Sequence, residues 1–215
     1  MYVPRFNALD DEQSVRAMVR DVGAAELITT GDDGYPVATR LPVVWDEPGG
    51  RLVMHLARAN PHWRSIPADH GVPALAVVTD AEAYLSPAWY PAKVEHGRVV
   101  PTWNYSAIQI TGRVRRHEDP EWLRDAVTLL TEQHESRRDE PWAVTDAPST
   151  YVEKQLRAIV GLELTIERVE GKAKLSQNRS AEDRAGVVAG LRDEGGARES
   201  VVAEQMARVT GPAPG

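Results

Sequence analysis

Apolar and polar positions alternate along this chain in short runs, and glycine, proline and aspartate interrupt them at short intervals. Residues 25–30 form a first run. Residues 36–45 form a second, in which Val37, Thr39, Leu41 and Val43 share a face and Pro42 predicts a break or an edge position. Gly31-Asp32-Asp33-Gly34 between them has the residues of a tight hairpin turn, and Glu47-Pro48-Gly49-Gly50 leads into a third strand over 51–56. Three strands joined in this way predict a β-meander. Residues 73–79 (PALAVVT) are a continuous apolar run of strand length, and 83–86 read as a separate short strand halted by Pro87. The longest alternation spans 103–115, and 162–169 sets Leu162, Leu164 and Ile166 between charges.

Elsewhere the apolar spacing changes to three and four. Asp10 or Asp11 can cap a helix to 22 with Val15, Met18, Val19 and Val22 on one side, ended by Gly23. Asp119-Pro120-Glu121 reads as a cap with proline at the first helical position, and 146–159 reads as a further helix stopped by Gly161. Residues 181–192 and 198–209 are amphipathic, separated by Gly195-Gly196. Strands with turns between them and helices between strands and at the ends predict an α+β fold built on a small closed or half-closed barrel. The predicted division is 1–179 for the barrel with its inserted helices, 180–210 for helices packed on it, and 211–215 for a disordered tail.

Composition narrows the class. The chain has 215 residues, 42% hydrophobic and 27% charged, enough for one large domain or one domain with a helical appendage. A formal net charge of −7 argues against a coat of positive potential for nucleic acid, leaving Arg113, Arg115 and Arg116, or Lys172 and Lys174, to form any basic patch. The absence of cysteine excludes disulfides, thiolate metal sites and a cysteine nucleophile, and fits a reducing cytosol. No run approaches the roughly 18 apolar residues of a membrane span, and the N-terminus lacks the blocks of a secretion signal, so a soluble, cytoplasmic protein is expected.

Familiar catalytic signatures are absent: there is no G-x-S-x-G, G-x-G-x-x-G, P-loop or H-E-x-x-H. The six histidines (55, 62, 70, 96, 117 and 134) form no i, i+4 pair. Candidate chemistry lies in four separated segments that each mix an aromatic ring or an amide with a cation or hydroxyl. They are Arg58/Asn60/Trp63, Ser86/Trp89/Tyr90/Lys93, Thr102/Trp103/Asn104/Tyr105 and Lys172/Lys174/Ser176/Gln177/Asn178/Arg179. Each alone reads as a core ring beside a solvated turn. Together they match what a planar heteroaromatic cofactor with a phosphate tail requires: rings to pack on, amides for ring edges and cations for phosphate.

The segments MYVPRF, ATRLPVVW, HLARANPHW, YLSPAWYPAK, VVPTWNYSAIQITGRV, AIVGLELTIERVEGKAKLSQNR and DRAGVVAGL, in that order, resemble the PaiB family of FMN-binding split-barrel proteins, known as negative transcriptional regulators. The resemblance covers the chain to about residue 191. It implies a six-stranded split barrel with peripheral helices, working as a homodimer with FMN at the subunit interface. It places Arg40, Arg58 and Asn60 near the FMN phosphate. Trp103, Asn104, Lys174, Ser176 and Gln177 would close the site from the partner subunit. The implied role is a transcriptional regulator or a redox or metabolite sensor, with direct DNA contact as one route. PaiB-like chains also include haem-dependent piperazate synthases, which close an N–N bond in N-hydroxyornithine; there the residue matching His55 is the axial iron ligand. KLSQNR and VVPTWNY are closer to the regulators. A flavin-dependent reductase or oxidase is the third reading.

Overall fold

A computed structural model describes residues 1–209, so residue 210 and the predicted tail 211–215 lie outside the described part. Asp11 accepts the Ser14 N–H at 2.8 Å and starts α1 (Glu12–Val22), and Gly23 ends it in the left-handed region at φ 63°. Six strands follow: β1 (Ala24–Thr30), β2 (Pro36–Asp46), β3 (Arg51–Ala57), β4 (Val72–Leu85), β5 (Thr102–His117) and β6 (Ile159–Lys174). They close a barrel in the order β1-β2-β3-β6-β5-β4, and the first three are the expected meander.

Pro42 is neither a break nor an edge. It faces Ala24 at the end of the β1–β2 register, and Val43 begins the pairing of β2 with β3. A residue without an N–H thus sits where the strand changes partner. The predicted strands at 73–79 and 83–86 are one, β4. The Ala81 N–H is met locally by the Asp80 carboxylate at 2.8 Å, and Gln205 Nε2 donates to the same carboxylate at 2.6 Å, so the polar stretch 80–82 does not break the strand. β6 likewise runs past its predicted ends, and Lys172 and Lys174 belong to a strand rather than a basic turn. The predicted helix 146–159 is shorter. Pro148 precedes α4 (Ser149–Leu156), and Val144–Asp146 is a separate 3₁₀ turn.

Two compact units emerge. One contains Asp11–Val78 and Ile108–Val169. Its buried side chains include Leu27, Leu41, Val43, Leu52, Met54, Ile108, Ile110, Leu162 and Leu164, the inward positions of alternating strands. α3 (Pro120–Glu135) and α4 add the satellite cluster of Leu123, Val152 and Leu156. The other unit contains Met1–Asp10, Thr79–Ala107 and the described part of Glu170–Gly215, with α2 (Ala92–Glu95), α5 (Ala181–Glu194) and α6 (Ala197–Arg208). Leu85, Tyr90, Leu175, Val187, Leu191, Val202 and Met206 form its core. Trp89 lies on α5 at Gly190, where a Cβ would meet its ring at 2.4–2.5 Å. Among the described residues no helix is long and apolar enough to cross a membrane.

Candidate functional site

In the first unit, β3 ends at Ala57 and the chain turns into a 3₁₀ segment, Pro61–Ser65. Asn60 caps that segment: its Oδ1 accepts the His62 N–H at 3.0 Å, and its Nδ2 donates to Thr39 Oγ1 at 3.3 Å. The His62 ring is buried between two threonines, with Nδ1 2.8 Å from Thr39 Oγ1 and Nε2 2.9 Å from Thr29 Oγ1. Burial holds its pKa below the ordinary histidine value, so the ring is neutral. Thr39 receives the Asn60 amide hydrogen and passes its own to Nδ1. Assigned from this network, Nε2 carries the hydrogen and donates to Thr29. Asn60 and His62 therefore tie the segment after β3 to β1 and β2.

Arg58 is held at three points. Its Nε donates to the Arg157 carbonyl at 3.0 Å, Nη2 to the Ile159 carbonyl at 3.2 Å and Nη1 to Glu118 Oε1 at 2.6 Å. The guanidinium thereby caps the C-terminal end of α4. The Arg58 carbonyl accepts the Trp63 indole N–H at 3.0 Å, and the Arg58, Arg64 and Arg116 guanidiniums stand 5.4–5.8 Å from the Trp63 ring centroid. Arg40 forms an ion pair with Glu26, its cross-strand partner. In this structure Arg40, Arg58 and Asn60 each bond to the protein itself.

His55 faces Gly161 across the β3–β6 pairing. A Cβ at Gly161 would lie 2.0 Å from Cζ3 of Trp122, so that ring from α3 fills the place beside the imidazole. Trp122 in turn stacks on His117 at 4.0 Å and 3°. Burial lowers the His55 pKa, and its Nδ1 is buried with no hydrogen-bond partner. An axial iron ligand needs one nitrogen facing an open site and the other held by a neighbour. His55 is half-buried with an indole beside it, and its Nδ1 lacks the neighbour that would orient the ring.

The second unit brings its share of the expected residues together. On β5, Trp103 and Tyr105 alternate with Asn104 and Ser106, which are buried. Asn104 is fully buried; its Nδ2 donates to Ser176 Oγ at 3.1 Å and approaches Met206 Sδ at 3.3 Å. Ser176 adopts φ 62°, a region that non-glycine residues seldom enter. Gln177 closes that bend, its Oε1 accepting the Leu175 N–H at 2.8 Å and its Nε2 donating to the Ala173 carbonyl. Asn104, Ser176 and Gln177 thus hold the end of β6 in place.

Lys174 and Trp103 remain at the surface. The Lys174 ammonium donates to Thr102 Oγ1 and the Trp103 carbonyl, and Lys172 donates to the Tyr105 hydroxyl at 2.9 Å. Neither lysine forms an ion pair among the described residues. Burial, reinforced by Lys172, lowers the Lys174 pKa, against the pull of Tyr105. Trp103 is 51% exposed and Tyr84 45%, their rings edge-to-face at 6.1 Å. A buried cation, Lys172, and a half-buried one, Lys174, with no carboxylate partner among the described residues and beside exposed rings, suit a ligand that joins an anion to a planar ring. Lys172 and Tyr105 complete this face; the alternation that puts Lys172 and Lys174 two apart on one strand is the signal that finds them. His62, with Thr29 and Thr39, carried no such signal.

Residues 1–168 match the family described as "Putative FMN-binding domain". The chain is 30% identical over 211 residues to protease synthase and sporulation protein PAI 2 of Bacillus subtilis (strain 168), covering 97% of this chain and 96% of that protein. Among solved structures it is similar to a Mycobacterium smegmatis protein described as FAD- and haem-binding, with a TM-score of 0.58, 19% identity and coverage of 86% and 78%. It is also similar to the flavocytochrome Anf3 of Azotobacter vinelandii, with a TM-score of 0.52, 18% identity and coverage of 80% and 72%. At these identities the structural likeness is one of fold.

Proposed function

Since the chain belongs to the PaiB family of FMN-binding domains, we propose that it is an FMN-binding, homodimeric redox or metabolite sensor that influences transcription through a partner. The Lys172–Lys174 pair carries this reading. Two ammonium groups held against hydroxyls and a carbonyl, with no carboxylate paired to them among the described residues, favour an anion such as a phosphate. Trp103 and Tyr84 offer the ring surface. Bound FMN would supply reversible electron acceptance; the chain's part is to hold the phosphate through Lys172 and Lys174 and to pack the ring. Arg40, Arg58 and Asn60 serve in this reading to brace the barrel. A second copy covering the exposed aromatic face accounts for rings at 45% and 51% exposure.

Action through a partner, rather than direct DNA contact, is favoured by the arginines. Arg113 pairs with Glu167, Arg115 with Glu163 and Arg116 with Glu118, so any basic patch these three could form is largely neutralised. The haem-enzyme reading has no support from His55.

The test is a fluorescence-monitored titration with FMN and with riboflavin, on the wild type and on Lys174→Met, followed by gel filtration. FMN is expected to stay with a dimer-sized species. Riboflavin, lacking the phosphate, and FMN with Lys174→Met should each bind about tenfold more weakly or worse. Equal affinity for FMN and riboflavin, or no binding of either, would overturn the assignment.

A further inference from the structure

The unit that holds α3 and α4 has a cleft of about 630 Å³ between the first turns of α3 and the end of α4. Leu123 and Leu156 provide an apolar floor. α3 contributes Glu121 and Arg124 to its rim, α4 contributes Glu153, and Arg157 follows directly at the end of α4. These stand at spacings of three and four, where each pair could close on itself, yet none of the four forms an ion pair among the described residues. Arg58 and Glu118 stand at the wall as a pair joined at 2.6 Å, which orients that guanidinium in advance.

The volume is that of a small-molecule site, and the chemistry is specific in sign. Three arginines and three glutamates line the cleft around the apolar floor. A simple anion would find arginines but would also face the glutamates, and a simple cation the reverse. A ligand carrying both charges at one end and an apolar body at the other satisfies all three features. We propose that this cleft binds a free α-amino acid with an apolar side chain. The carboxylate is received by the forks of Arg124 and Arg157, the ammonium by Glu121 and Glu153, and the side chain lies on Leu123 and Leu156. Arg58 links the cleft to the 3₁₀ segment Pro61–Ser65, because its carbonyl holds the Trp63 indole. The site is independent of the lysine face of the other unit, and it gives a metabolite sensor a chemical class of metabolite.

Isothermal titration of the full chain with L-leucine, L-phenylalanine and L-tryptophan tests this. Each binder is then compared with the carboxylic acid lacking its amino group and the amine lacking its carboxylate. At least one amino acid is expected to bind with Kd below about 1 mM, and both of its single-charge counterparts about tenfold more weakly. Glu121→Gln/Glu153→Gln should erase the preference for the amino acid over its acid. Arg124→Gln/Arg157→Gln should erase the preference over its amine. All four positions are exposed, so these variants fold, as circular dichroism will verify. The inference fails if no amino acid binds, if an acid binds as tightly as its amino acid, or if the arginine variant binds unchanged. An FMN titration on the same samples reports the other face separately.

Discussion

Thr29, Thr39 and the Asn60–His62 segment come from three strands or turns and meet in one hydrogen-bonded network, which is why no local pattern revealed it. A ring nitrogen of a buried imidazole left without a partner costs stability, and Thr29 is the acceptor for one nitrogen of His62. Thr29→Val keeps the β-branched shape and removes that acceptor. It should cost about 1–3 kcal/mol in urea unfolding at pH 8, with Thr29→Ser recovering most of it. A cost below the error of the measurement would mean that water reaches the ring. The expected cofactor residues show the same limit of reading. Lys174 and Trp103 lie at the surface, as an alternating strand end predicts, whereas Asn104 and Gln177 turn inward to Ser176 and to the backbone. Residue type alone does not distinguish an amide that meets a ligand from one that meets its own chain.

Helix starts and tight turns were legible because their chemistry is local. Asp119 accepts the Trp122 N–H at 2.8 Å and Pro120 takes the first helical position, as DPE implied. Asp119→Ala should destabilise by about 1 kcal/mol and Asp119→Asn by much less, read from thermal or urea midpoints. Strand length was not legible, because continuity past a polar residue is decided by partners elsewhere in the chain, such as Gln205 at Asp80. Barrel closure has the same character. Gly112 on β5 has no local role in the pattern, yet a Cβ there would lie 2.0 Å from the Thr165 carbonyl oxygen of β6. A ladder carbonyl cannot step aside, so Gly112→Ala should cost at least about 1–3 kcal/mol. A variant as stable as the wild type would show that β5 and β6 can shift apart there.

At the scale of the molecule, one buried histidine, His62, and two half-buried ones, His55 and His117, set the response to acid. His55, His62 and His117 all titrate below the ordinary histidine value because burial disfavours the charged ring; for His117, Glu163 works against burial. In the unfolded chain the same rings titrate near about 6.5. The stabilisation from keeping them neutral is thus complete above that pH. It declines as pH falls through the unfolded value, because the unfolded state then binds protons that the folded state refuses. Each ring still neutral in the fold adds a slope of about 1.4 kcal/mol per pH unit. A second decline belongs to Glu163. Burial would raise its pKa, but hydrogen bonds from Arg115 and Arg51 overcome burial and lower it. Its ion pairs with Arg51 and Arg115 stabilise the fold fully above the ordinary carboxylate value, and that stabilisation declines as pH falls through that value toward the lower folded one. Urea midpoints measured from pH 8 to pH 4 should therefore hold level, fall from about pH 6.5, and fall again near the bottom of the range. A level midpoint down to pH 5 would mean that the three rings accept protons inside the fold. The Thr29–His62–Thr39 network would then have to break without cost, which the hydrogen bonds at both ring nitrogens argue against.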